Sequence, residues 1–212
     1  MRAPELSTNP EKIDKIIGRI NAGDIKIPAF QRAYVWKQSQ ILDLLDSIVK
    51  NYPIGSILLW STSDKLKHTR NIAGYSIPEN PEEYPVNYVL DGQQRVSSIY
   101  ASFSDKTMQD PQSASYNPNL DLFEIYYSFS KRSFLPKIEV DLTLNDAIYL
   151  RHFLNPTNFF DSVLKLDALY QNDAKELYSK FINYEIPVVT IKNREKSEVG
   201  IIFKELIIQG LS

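Results

Sequence analysis

The sequence predicts a mixed α/β (α+β) domain, a mixed sheet flanked by helices with an α-rich C-terminal part. Three observations predict it. Short β-branched or apolar runs, Ser56 to Trp60, Val86 to Leu90 and Glu185 to Ile191, alternate with stretches whose apolar residues recur at helical spacing. The order of these elements shows no internal repeat and gathers helices toward the C-terminal end. The chain has 212 residues, 43% of them hydrophobic, enough to fill a proper core.

The elements follow in order. Ser7 and Thr8 with Pro10 read as the cap of an amphipathic helix carrying Ile13, Ile16, Ile17 and Ile20 and stopped near Gly23. A short strand over 25–27 follows. Pro28 to Trp36 is a loop, because Pro28 disfavours regular pairing and polar groups intrude on an apolar run. From Gln38 to about Asn51, residues Ile41, Leu44, Leu45 and Ile48 fall on one helical face. Tyr52-Pro53-Ile54-Gly55 turns tightly into the strand Ser56 to Trp60, whose continuous apolar character fits burial on both faces. Ser61 to Glu83 is a polar surface excursion, Val86 to Leu90 a strand, and Gln93 to about Phe103 the helix it feeds.

Between Ser104 and Leu120 the composition shifts to Ser, Asn, Gln, Asp and Pro, which predicts a loop or partial disorder. Beyond it Phe123, Ile125, Tyr127 and Phe129 alternate as a strand does, and a weaker strand pattern covers 137–140. Helices are expected over 144–153 and 162–181, a β-branched strand over 185–191 and a final helix over 195–208. Residues 1–212 read as a single domain, with a core of about 9–140 and a helical extension with the last strand over about 141–212.

Composition narrows the function classes. A formal net charge of −2, from 24 basic and 26 acidic residues, argues against coating nucleic acid by bulk electrostatics, so any DNA contact must come from a local patch. The absence of cysteine excludes disulfides, thiolate nucleophiles and Cys-based metal sites. With no bilayer-length apolar window and no signal-peptide core at the N-terminus, a cytoplasmic protein is expected, without a membrane partner. His68 and His152, the only histidines, lie far apart in sequence and are expected at the surface, and no metal site is assigned. Neither a Gly-x-x-x-x-Gly-Lys-Ser/Thr loop, a Gly-x-Gly-x-x-Gly fingerprint nor a Gly-x-Ser-x-Gly elbow occurs.

The run Tyr88-Val89-Leu90-Asp91-Gly92-Gln93-Gln94-Arg95-Val96-Ser97-Ser98 ends an apolar strand abruptly and opens a helix. Gly92 lets the backbone turn, the helix start offers unpaired N–H groups, and Arg95 adds a permanent forked charge, as at an anion site. The bland alternative is a capped helix start with solvated Gln and Arg. Against it, an unpaired polar group buried above an apolar strand costs on the order of 1–3 kcal/mol, so these groups need partners. Gln31, Arg32, Tyr34 and Trp36 belong to a second candidate segment, in which Arg32 joins Arg95 on phosphates and Tyr34 or Trp36 stacks on a base. Gly55 and Ser56 could add N–H or hydroxyl donors, although a plain helix-to-strand connection explains that turn.

The segments Ile27-Pro28-Ala29-Phe30-Gln31-Arg32-Ala33-Tyr34-Val35-Trp36, Tyr52-Pro53-Ile54-Gly55-Ser56, Leu90-Asp91-Gly92-Gln93-Gln94-Arg95 and Glu185-Ile186-Pro187-Val188-Val189 occur together and in this order. In this the chain resembles the N-terminal domain of GmrSD-type, modification-dependent restriction enzymes, of the ParB/sulfiredoxin-like superfamily. The resemblance implies a domain that binds and often hydrolyses an NTP, GTP or ATP with Mg²⁺, in a phage-defence system. It implies modified DNA and an HNH-type nuclease domain or subunit as partners; a homo-oligomer is a separate candidate, on which the sequence is silent. The two separate histidines give no HNH site, so this chain alone is not expected to cut DNA by that chemistry. The resemblance ties Asp91, Gln93, Gln94 and Arg95 to catalysis, with Asp91 organising the turn and a hydrated Mg²⁺ or water, and Gln93 or Gln94 positioning the attacking water. Gln31, Arg32, Tyr34, Trp36, Gly55, Ser56, Gly92 and Ser97 form the expected nucleotide-binding set. The alternative is a non-catalytic module that binds DNA or a partner protein.

Overall fold

The computed structural model describes residues 5–68, 71–77, 85–104 and 122–208. Its first half runs β1 (Glu5–Lys12), α1 (Ile13–Asn21), β2 (Ile25–Lys26), α2 (Gln38–Val49), β3 (Ile57–Thr62), β4 (Asn71–Ile72), β5 (Tyr75–Ser76), β6 (Val86–Asp91) and α3 (Gln93–Phe103). The second half runs β7 (Ile125–Ser128), β8 (Ser133–Pro136), β9 (Ala147–Tyr149), α4 (Pro156–Lys165), α5 (Gln171–Asn183), β10 (Glu185–Lys192) and α6 (Lys196–Ile208).

The main sheet has the order β1-β10-β3-β6-β2, a mixed sheet as the sequence predicts. β10 runs parallel to β3, β6 parallel to β2, and the other neighbours are antiparallel. The strand nearest the C-terminus is thus inserted between the first strand and the third. A smaller antiparallel sheet, β8-β7-β9, and the β4-β5 hairpin lie outside it.

Alternation along β3 and β6 sorts side chains onto two covered faces. Ile57, Leu59 and Val89 join α1, α2, α3 and α5 in one core through Ile16, Ile20, Ile41, Leu45, Val96, Ile99 and Phe181. Trp60, Tyr88, Leu90 and Ile191 form a second cluster, which α6 closes with Val199 and Ile202. Burial on both faces is the physical reason these strands read as unbroken apolar runs. No helix among the described residues is long and apolar enough to cross a membrane.

Several expectations are corrected. Residues 5–12 form an edge strand antiparallel to β10, with Pro10 opposite Pro187, and the first helix begins only at Ile13. An edge strand can keep a polar face toward solvent and tolerates proline, so its pattern resembles a capping segment. The strand predicted over 137–140 is displaced to 133–136, with a 3₁₀ turn at Lys137–Glu139. The helix predicted over 144–153 is instead β9 followed by a 3₁₀ turn, Leu150–Leu154. The helix predicted over 162–181 is two helices: α4 has Pro156 in its first turn and Asn155 accepting the Asn158 N–H at 3.1 Å, and the chain breaks at Leu166 before α5. The polar segment predicted as a loop between Ser104 and Leu120 lies, from residue 105, outside the described residues.

A polar network ties the edge of the sheet to the core. Arg19 Nε donates to Asp24 at 2.5 Å and Nη1 to both Glu11 oxygens at 3.0 and 2.9 Å, while Asn87 Nδ2 donates to the other Asp24 oxygen at 2.5 Å. Burial works against the Arg19 charge, but Asp24 and Glu11 outweigh it and hold the guanidinium above its ordinary pKa.

Phe181 is fully buried, with ring centroids 5.2 Å from Phe103, 5.9 Å from Phe134 and 5.3 Å from Phe153. Phe181→Ala removes the ring shared by the helical layer and the small sheet, and urea denaturation should report a loss of about 3–5 kcal/mol.

Candidate nucleotide site at the start of α3

β6 ends at Asp91 and Gly92 turns the chain into α3 with φ of 84°. A Cβ at residue 92 would lie 3.1 Å from the Ser56 carbonyl oxygen and 3.3 Å from Arg95 Nη2, so the turn needs glycine for both its φ and its contacts. Val96 N–H closes the first helical bond on the Gly92 carbonyl at 2.9 Å, which leaves the N–H groups of Gln93, Gln94 and Arg95 ahead of the helical ladder.

One side of this junction is fastened to the turn before β3. Arg95 Nη1 donates to the Ile54 carbonyl at 2.7 Å, and Nη2 donates to the Ser56 carbonyl at 3.0 Å and to Asp91 Oδ2 at 3.3 Å. Gly55, at φ of 85°, lies against the same guanidinium, which any Cβ there would overlap. Tyr184, at the end of α5, donates its phenol to the Tyr52 carbonyl at 2.6 Å.

The other side is fastened to the loop before α2. Gln31 Nε2 donates to the carbonyls of Val89 and Leu90 at 3.1 and 3.0 Å. Gln93 Nε2 donates to the Arg32 carbonyl at 2.8 Å. Gln94 uses both ends of its amide: Nε2 donates to the Ala33 carbonyl at 3.2 Å and Oε1 accepts the Val35 N–H at 2.9 Å. The Tyr34 phenol meets Ser98 Oγ at 2.8 Å, and its ring packs 5.7 Å from that of Phe123.

The three predicted segments therefore converge at one strand-to-helix junction, and the buried amides find their partners in the chain's own backbone. Gln94 is buried and engaged at both ends. Arg95 faces backbone carbonyls and Asp91, where the sequence suggests a phosphate shared with Arg32. Tyr34 and Trp36 pack against the main core, while the Ser97 side chain is buried. Arg32 and Gly55 are exposed, and Gln93 and Asp91 are half-buried. Phe30 and Val35, which by their apolar character would be expected to pack on the core with Tyr34 and Trp36, are instead 54% and 57% exposed and add apolar flanks. Sequence reasoning missed Tyr184, whose contact spans 132 residues of chain and leaves no local signal.

His68 forms an isolated bridge with Pro28, at the start of the loop before α2. His68 Nδ1 meets the Leu66 carbonyl at 3.3 Å, and His152 Nδ1 meets Ser162 Oγ at 2.7 Å. Among the described residues there is no group of three or more His, Asp or Glu side chains able to hold a metal ion.

A family model described as GmrSD restriction endonuclease, N-terminal domain, matches residues 13–211. An uncharacterized protein of Methanocaldococcus jannaschii is 27% identical over 168 residues, a match covering 74% of this chain and 27% of that protein. The chain thus spans about a quarter of the length of this relative.

Gly55→Ala forces a side chain into the left-handed region and against Arg95, and chemical denaturation should show a loss exceeding about 1 kcal/mol. Burial pushes the Tyr34 phenol up to about 12, against the opposing hydrogen bond with Ser98. The unfolded chain releases this proton near the ordinary value of 10.0 and the folded chain keeps it. The contribution is thus fully present below that value and is lost as pH rises from it toward 12. Stability measured across that interval should fall less steeply in Tyr34→Phe than in the wild type.

Proposed function

The chain belongs to the GmrSD restriction endonuclease N-terminal domain family, and from that premise we propose that it is the NTP-binding and NTP-hydrolysing module of a modification-dependent restriction system. The observation that carries this reading is the convergence of Gln31–Val35, Tyr52–Ser56 and Asp91–Arg95 on the start of one helix. Helix N–H groups there favour an anion, the exposed Arg32 supplies charge at the rim, and Phe30 and Val35 offer apolar surface beside it. The same reading keeps the chain in the ParB/sulfiredoxin-like superfamily.

Gln94 and Arg95 are positioning residues that hold the loops. Arg32 and the N–H groups following Gly92 are the phosphate contacts. Gln93, half-buried and anchored through its Nε2, keeps its Oε1 to orient the attacking water. The nucleotide is written with its Mg²⁺ as the substrate, since such ions are commonly held by one or two carboxylates and the phosphates themselves. Asp91 offers a carboxylate at the junction and fits that role with the oxygen that Arg95 does not take. When bound, the ion would neutralise charge on the β- and γ-phosphates. An HNH-type nuclease domain or subunit and modified DNA are the partners this reading requires.

A second reading has an observation of its own. Gln94 and Arg95 are so fully used by backbone that the motif serves as a brace, which suits a non-catalytic module binding DNA or a partner protein. Phosphate release from GTP and ATP with Mg²⁺ separates the two. The enzyme reading expects nucleotide-dependent turnover that drops by roughly a hundredfold or more in Gln93→Ala and in Asp91→Asn. Equal background release from all three proteins favours the module.

A further inference from the structure

Two parallel strands enter the sheet side by side. β10 pairs with β3 from Val188 opposite Ile57, so the residues just ahead of each strand are neighbours. Ahead of β3 stands the turn Tyr52–Ser56, and ahead of β10 stands Tyr184, 6% exposed and part of the main core. The sheet itself therefore carries the Tyr184 phenol to the Tyr52 carbonyl.

Three alternate carbonyls of this turn point into the protein: Tyr52 to Tyr184, and Ile54 and Ser56 to Arg95. In a trans peptide the C=O and the following N–H point in opposite directions. With the Ile54 carbonyl drawn onto the guanidinium, the Gly55 N–H is turned away from it, at an exposed residue. The peptide after Tyr52 adds no competing donor, because residue 53 is proline. The C-terminal end of the turn abuts the start of α3, since the Ser56 carbonyl oxygen lies 3.1 Å from where a Gly92 Cβ would stand.

We propose that Tyr184 is a positioning residue of the nucleotide site, which together with Arg95 locks the Tyr52–Ser56 turn so that the Gly55 N–H is presented as a donor to a nucleotide phosphate. The inference rests on the nucleotide reading above. Burial raises the Tyr184 pKa, with a hydrogen bond from the Ile54 backbone working against it, so the phenol keeps the proton it donates at neutral pH. Arg95 alone fixes the turn at its C-terminal end; without the phenol the Tyr52 end can swing and the donor loses its aim. The donor meets phosphate equally in the ground and transition states, so its loss weakens binding and leaves the chemical step intact.

The test is Tyr184→Phe, which keeps the buried ring and removes the donor. Steady-state hydrolysis of GTP and ATP with Mg²⁺ should show KM raised about tenfold and kcat within about twofold of the wild type, consistent with one charge-assisted hydrogen bond. Thermal melting, run in parallel, shows whether the variant is folded at the assay temperature. A wild type that turns over nucleotide beside a variant with unchanged KM overturns the role of Tyr184 and leaves the nucleotide reading standing. A wild type that neither binds nor hydrolyses nucleotide overturns both. Amide hydrogen exchange at Gly55 of the wild type is the second measurement, independent of any variant: slowing at saturating GTP or ATP is the expected result, and unchanged exchange overturns the proposal.

Discussion

The Arg95 guanidinium is the constraint on which the rest of the site depends. It reaches from the first turn of α3 to two carbonyls of the turn before β3 and back to Asp91 at the end of β6. Hydrogen bonds to a charged group contribute roughly 1.5–3 kcal/mol each when well made, so this one side chain does much to set the conformation of the turn. The two glycines follow from it. Gly55 and Gly92 both lie within contact of the guanidinium, and both need positive φ, so neither position accepts a side chain.

Lysine could not substitute in this arrangement. The planar fork addresses the Ile54 and Ser56 carbonyls with separate nitrogens, and a single ammonium lacks that spread. On the opposite side of the junction the glutamines do the equivalent work on neutral backbone. Gln94 in particular behaves as a missing strand partner, giving and taking one hydrogen bond each with the loop before α2. A loop that would otherwise bury unpaired amides is thereby closed over the strand end, which leaves the helix N-terminus framed by two fixed segments.

Most of the sheet and its flanking helices were legible in the sequence, and the reasons are specific. β3 and β6 are covered on both faces, so they read as short continuous apolar runs, and Gln93–Phe103 matches the helix expected after the second of them. β1 was not legible, because an edge strand with polar Ser, Thr and Asn has no apolar signature and its partner lies far along the chain. The split between α4 and α5 was hidden by Leu166 and Leu169, which extend the apolar stripe across the break. For the site, sequence identified the three segments and the need for partners of the buried amides. It could not say that the partners were backbone carbonyls and N–H groups, since those acceptors carry no residue identity, and Tyr184 gave no sign at all.

The central claim is that these braced segments frame one nucleotide site. The most direct measurement is an amide-resolved NMR titration of the protein with Mg²⁺ and GTP or ATP. The account predicts saturable shifts concentrated at Gly55, Gly92, Gln93 and Arg32, with the residues of α4 and α5 unmoved. Absence of saturable binding, or shifts centred on another surface while this junction stays silent, would contradict it.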